Sequence, residues 1–235
     1  MIKKLRKLSS KYIKDAVYAA NDGIVTTFAV VASVIGANLE PVVVLILGVA
    51  NLFADGFSMA TGNYLGTKSE GDQYKHHRAK EEEILSSSPK RAHKEVANIF
   101  KGKGYSEEDI STLTGLVGKN KNFFLDFLLF EKLGIDPVGK GEAFRASLIT
   151  FISFLTVGLI PLAPYMFIKD SGTAFLVASI FVALSLFIVG AARTVFADSH
   201  WFKGGLEMMI MGGTAASIAY IIGAVLRTLI NGAAV

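Results

Sequence analysis

Apolar residues fall into five long blocks separated by very unequal polar links. The blocks run from about 16 to 37, 41 to 65, 144 to 168, 173 to 196 and 206 to 230. Each reaches the roughly 20 mostly apolar residues that cross a bilayer. Only Asn38, Leu39 and Glu40 join the first two blocks, and only residues 169–172 join the third and fourth. Such links force antiparallel hairpins. Helices are expected, because an open strand edge leaves unpaired backbone groups in lipid. Pro161 and Pro164 predict a bend at the outer end of the third block.

The link between the second and third blocks is a module of its own, residues 66–143. Its pattern is helical: 69–85 continuing the second block, 89–101 after a Ser-Ser-Ser-Pro break, a third helix capped by Ser106 with Asp109 three residues on, and a fourth over 122–133. Phe123, Phe124, Phe127, Leu128 and Phe130 are its expected apolar side, with Gly134 and Pro137 as stops. The module is too small for a large core, so docking on itself, on the membrane face or on a second copy is expected. Residues 1–14 set Lys3, Lys4, Arg6, Lys7, Lys11 and Lys14 among Ile2, Leu5, Leu8, Tyr12 and Ile13. This reads either as an amphipathic helix on an anionic leaflet or as a plain basic flank. The expected fold is therefore all-α: an integral membrane protein with five transmembrane helices and a helical cytosolic insert between helices 2 and 3. Its segments are 1–14, 15–65, 66–143 and 144–235.

Composition narrows the class. Of 235 residues, 51% are hydrophobic and 19% charged, against about 25% charged in an average soluble domain. An ordinary cytosolic enzyme and a disordered chain are both excluded. With no cysteine, disulfides, thiolate metal sites and cysteine nucleophiles are excluded as well. The module 66–143 carries thirteen basic and thirteen acidic residues, so it is no nucleic-acid patch. Basic residues concentrate on one side if five helices alternate, which puts the N-terminus and insert in the cytosol and the C-terminus outside the cell membrane.

Charged residues at membrane depth cost about 2.5–3.5 kcal/mol each by insertion scales, so they need a reason. Asp22 lies in the first block beside Asn21. Asp55 lies midway along the second, where Asn51, Asp55, Met59 and Asn63 recur every four residues and form one stripe. Carboxylate, amide and thioether on one face resemble an ion path. Oxygen donors suit hard cations and sulfur favours a softer one, so Fe²⁺ and Mn²⁺ fit. The plainer readings are packing for Met59 and an interfacial position for Asp22. Small residues on the first (Ala29, Ala32, Gly36), second (Gly48, Gly56, Gly62) and fifth (Gly212, Ala216; Ala215, Ala219, Gly223) blocks predict close helix contacts. Five helices make a thin wall around a pore, so a two-fold homodimer with the path at its interface is expected.

The run Ala20-Asn21-Asp22-Gly23-Ile24-Val25-Thr26-Thr27-Phe28 resembles the first-helix signature of the vacuolar iron transporter family. Asp55-Gly56-Phe57-Ser58-Met59-Ala60, with Gly62-Asn63-Tyr64-Leu65, is similar to its second-helix signature, and 158–162 and 212–223 match its third and fifth helices. The resemblance covers nearly the whole chain. It implies a dimeric, proton-coupled exporter of Fe²⁺, often also Mn²⁺, with Asp22 and Met59 lining the path and Asp15 nearer the cytosol. It implies no bound cofactor. It also implies a glutamate-rich metal-binding insert, in which Glu81, Glu95 and Glu131 match three ligands. Ile84 and Ala92 stand where further glutamates are common, and Phe127 and Leu128 replace a methionine pair. A preserved membrane path with a weaker, altered or absent cytosolic metal store follows.

His77 and Glu81, at i,i+4, form a possible ligand pair or a solvated helix face. His93 reads as surface, and Trp201, beside His200, as an interfacial anchor. A non-transporting metal sensor or scaffold is the alternative function. An aspartyl-type membrane enzyme is a third, disfavoured by the absence of HExxH, GxSxG and P-loop motifs.

Overall fold

The computed structural model describes residues 2–194 and 200–233, with side chains described over 12–194 and 200–230. The basic side chains of the first eleven residues lie outside that set, so the amphipathic reading of 1–14 rests on sequence. The described residues are helical and contain no strand: α1 Ile2–Gly36, α2 Pro41–Ser87, α3 Pro89–Gly102, α4 Glu107–Gly118, α5 Lys121–Leu133, α6 Glu142–Gly158, α7 Ala163–Phe167, α8 Ser171–Thr194 and α9 Trp201–Ala233. They form two compact units. One contains residues 1–63 and 144–235, the other Tyr64–Ala143.

Among the described residues, four helices are long and apolar enough to cross a membrane: Tyr12–Gly36, Pro41–Ser87, Ser171–Thr194 and Trp201–Ile230. The third apolar block breaks at its outer end, where Pro161 and Pro164 predict a bend, and is two helices rather than one. Its helix α6 has 17 residues and stops at Gly158, which gives about 25 Å at 1.5 Å per residue, short of a 30 Å hydrocarbon core. The cause is Pro161. It lacks an amide hydrogen and disfavours helix at Ile160, and Pro164 then sits in the first turn of α7. The link between α1 and α2 is a helix cap. Asn38 adopts φ 56°, and Leu39 N–H donates back to the Val34 carbonyl at 3.1 Å.

The packing is that of a membrane bundle. Along α8, Ala174, Ala178, Val182, Leu186 and Gly190 are buried, while Leu176, Ile180, Leu184 and Ile188 are exposed. Mostly small groups, with Val182 and Leu186, face the bundle, and large apolar ones face outward. Close contacts use glycine where α1 meets α9. A Cβ on Gly36 would collide with the Tyr220 carbonyl, and one on Gly223 with the Ser33 carbonyl. Gly62, expected to make such a contact, has open space around it instead.

The second unit is a small helical module with its own core of Ala92, Val96, Phe100, Ile110, Val117, Phe124, Leu125 and Leu128. Ser106 Oγ accepts from Asp109 N–H at 3.2 Å and caps α4, and Asn120 accepts from Phe123 N–H at 3.1 Å and caps α5. Gly134, at φ 66°, ends α5. The buried face of α5 is Phe124, Leu125, Leu128 and Leu129. Phe123 and Phe130, assigned to it from the sequence, are half exposed. Phe123 instead lies against Phe127, which stacks on Phe100.

Candidate metal path and the acids of the insert

Helices α1, α2 and α6 carry the polar groups of the candidate path. Asp15 and Asp22 lie seven residues apart on α1, hence on one face. Asp22 and Asp55 are close enough for their charges to interact. Asn51 Nδ2 donates to Asp55 Oδ2 at 2.7 Å, one turn along α2. Asn63 Nδ2 donates to Thr150 Oγ1 of α6 at 2.7 Å. A cavity of about 290 Å³ is lined by Asp15, Tyr18, Met59, Gly62, Asn63 and Thr150. At about 30 Å³ per water it has room for a partly hydrated ion.

The polar stripe on α2 thus divides. Met59 and Asn63 line this cavity together with Asp15, while Asn51 and Asp55 lie one to two turns earlier on the same helix, with Asp55 near Asp22. Met59 also packs against the apolar core of the unit. Beside Asp22, α1 and α6 approach backbone to backbone: a Cβ on Gly23 would lie 2.6 Å from the Phe154 carbonyl oxygen, and one on Gly158 would lie 3.0 Å from the Gly23 carbonyl oxygen. Among the described residues neither Asp22 nor Asp55 forms an ion pair. Tyr18, Thr150, Gly23 and Gly158 were not singled out as site residues from the sequence. Tyr18 shares a face with Asp15 at i,i+3 and had a local signal; Thr150 meets Asn63 across 87 residues and had none.

In the second unit every glutamate of interest has a basic partner. Lys132 Nζ contacts Glu81 Oε1 at 2.8 Å and Glu95 Oε2 at 2.6 Å, with Arg91 Nε 3.5 Å from Glu95 Oε1. Glu131 is elsewhere, paired with Lys103 at 2.7 Å. Glu82 pairs with Lys121. Asp126 accepts from Arg78 and from the Tyr74 hydroxyl. The hydrogen bond from Lys132 holds the Glu95 carboxyl below its usual range, against an opposing effect of burial. Burial acts to lower the Lys132 pKa, but its hydrogen bonds to Glu81 and Glu95 outweigh that and raise it.

Among the described residues, no three His, Asp or Glu side chains are grouped to hold a metal ion. Glu81 and Glu95 come together, but around an ammonium. Ile84 packs on the insert core, Ala92 is 1% exposed, Leu128 is fully buried and Phe127 stacks on Phe100. The four positions that depart from the expected ligand set are therefore part of the apolar core. His93 is engaged locally, with Nδ1 2.8 Å from the Pro89 carbonyl and its ring against Phe124.

A sequence profile of the VIT family matches residues 13–224. The chain belongs to the VIT family. It is 30% identical over 233 residues to a protein of Plasmodium falciparum (isolate 3D7) named vacuolar iron transporter, covering 95% of this chain and 85% of that one. A vacuolar iron transporter of Toxoplasma gondii (strain ATCC 50861 / VEG) is 31% identical over 238 residues, covering 95% and 77%. Vacuolar iron transporter 1 of Arabidopsis thaliana is 29% identical over 219 residues, covering 93% and 88%. The VIT match takes in α1, α2, the insert and most of α9, so it includes both acidic sets.

Proposed function

We propose that this VIT-family chain is a proton-coupled transporter that exports Fe²⁺, Mn²⁺ or both from the cytosol. That the relatives are named iron transporters supports the transport of a metal ion across a membrane and argues against an enzyme. The observation that carries the reading here is the cavity lined by Asp15, Met59 and Asn63, with Asp55 one turn from Met59 and neither Asp22 nor Asp55 in an ion pair among the described residues. Two neighbouring carboxylates at membrane depth must recruit positive charge. Protons or a divalent cation satisfy that need, and exchange between the two is an antiport cycle. Met59 and Asn63, with Asp15, supply sulfur and oxygen donors around the adjoining cavity, a mixed set that suits a borderline divalent ion.

In this reading α6 and α7 together make the fifth crossing. The N-terminus and insert face the cytosol, the C-terminus faces the opposite side, and two copies assemble about a two-fold axis. Movement out of the cytosol has the same sense in a vacuolar membrane, as in the relatives' names, and in a cell membrane. An anchor without transport has no use for Asp55 midway along its apolar block. The test is Fe²⁺ and Mn²⁺ uptake into inside-out vesicles under an imposed pH gradient. Asp22→Ala and Met59→Ala are each expected to abolish uptake while the protein still folds. Normal uptake by both variants overturns the proposal.

A further inference from the structure

Two carboxylates from different helices of the insert converge on a single ammonium. Glu81 of α2 and Glu95 of α3 each place one oxygen within 2.8 Å of Lys132 Nζ on α5. Glu81 is 8% exposed, and its second oxygen, Oε2, has no hydrogen-bond partner among the described residues. A buried carboxylate is tolerated only beside a positive charge. A second carboxylate at the same point makes the place a cation site by its chemistry, whatever cation fills it. The chain supplies the cation itself. Arg91, on the other oxygen of Glu95, adds a second positive charge. Two acids and two bases leave the cluster neutral with no free ion bound.

We propose that Lys132 is the resident cation of this site. Its tethered ammonium takes the position between Glu81 and Glu95 that a free divalent ion would otherwise occupy, and so joins α2, α3 and α5 without metal. A tethered group competes at an effective concentration on the order of millimolar. An ion entering this pair must displace that ammonium and leave it without its partners. The inference concerns the insert alone and does not rest on the transport reading.

Mn²⁺ titration of the full-length chain in detergent, followed by loss of the free-ion electron paramagnetic resonance signal, tests it. The Asp22→Ala background keeps the result separate from the membrane path. The parent chain and Glu81→Gln/Glu95→Gln are expected to bind the same number of ions. Lys132→Met is expected to bind one more per chain, at least tenfold more tightly than any site the parent has in the insert. That extra ion should disappear when Glu81→Gln and Glu95→Gln are added, and Lys132→Arg should not gain it. Hydrogen exchange of α3 and α5 in Lys132→Met, restored by Mn²⁺ to parent protection, shows that the variant folds around the ion. The proposal is overturned if the parent already loses an ion on Glu81→Gln/Glu95→Gln. It is equally overturned if Lys132→Met gains none, or if its insert stays unprotected with Mn²⁺ present.

Discussion

In the first unit Asp55 takes its hydrogen bond from the neutral side chain of Asn51, whereas in the insert Glu81 and Glu95 take theirs from the ammonium of Lys132. Asp22 lies near a second acid, while Glu131 lies on a lysine. In the proposed cycle the difference separates a polar group kept for an exchangeable ion from one that completes a fold. A neutral amide orients a carboxylate without cancelling its charge, so the carboxylate still attracts a cation. A lysine satisfies the charge permanently. Acidic residues alone, counted along a sequence, cannot distinguish these roles; the identity of the partner does.

Exchanging one acid from each set gives the sharpest contrast. Asp22→Asn removes a charge that, in the proposed cycle, must alternate between proton and metal. Uptake into inside-out vesicles is expected to fall more than about a hundredfold, equivalent to ~2.7 kcal/mol. Glu131→Gln breaks only a partly exposed pair with Lys103, so uptake should stay within about twofold of the parent rate, in keeping with the small worth of such pairs. Comparable losses in the two variants would erase the distinction between the sets.

Next in size is the backbone contact beside Asp22. Gly23→Ala places a methyl group 2.6 Å from the Phe154 carbonyl oxygen, and backbone cannot yield as a flexible side chain does. A loss of about 1–3 kcal/mol is expected from such overpacking, read as a lower melting temperature in detergent together with reduced uptake. Gly62→Ala, in open space at the cavity edge, should leave the melting temperature unchanged. The pair thus separates helix packing from cavity shape within one unit.

Asn51→Leu tests the orienting amide. It deletes the 2.7 Å hydrogen bond to Asp55 and leaves the charge in place. A hydrogen bond to a charged group contributes about 1.5–3 kcal/mol. Reorientation recovers part of that, so an uptake loss of about tenfold is expected, smaller than for Asp22→Asn. An unchanged rate would mean that Asp55 needs no orientation.

The helical class was legible because apolar block length and period depend on the chain alone. So were the helix starts at Pro89 and Ser106, where local chemistry sets the boundary. In the third block the bend was legible at Pro161 and Pro164, but the shortness of the helix before it was not, because apolar length is blind to where α6 ends. The α5 face was misjudged at Phe123 and Phe130 because aromatic residues stood out more than the Leu125 and Leu129 positions that point into the core. The stripe on α2 could be read from its spacing of four. Its partner Thr150, at Asn63, and the insert's Lys132, at Glu81, are 87 and 51 residues distant from the groups they meet. Contacts of that separation arise only when the helices pack.

The smallest effect is the response of the Lys132 cluster to acid. Lys132 holds the Glu95 carboxyl below its ordinary range, so the folded insert binds that proton less readily than the unfolded chain does. The corresponding stability is present above the unfolded value, about 4.3 for a glutamate, and is lost as pH falls through the lower folded value. The raised Lys132 pKa acts at the other extreme: its share is complete below the unfolded lysine value and lost as pH rises through the higher folded one. Between those limits the insert should melt at a constant temperature. Below the glutamate range its midpoint should drop by an amount worth less than about 1 kcal/mol, because Glu95 and Lys132 are both partly open to solvent. Circular dichroism melting at pH 3 and pH 6 measures it. Lys132→Met should flatten the acid limb by removing the partner that depresses Glu95. If that variant keeps the parent's acid slope, the carboxylates owe their state to something other than the lysine, and the insert resembles the membrane set after all.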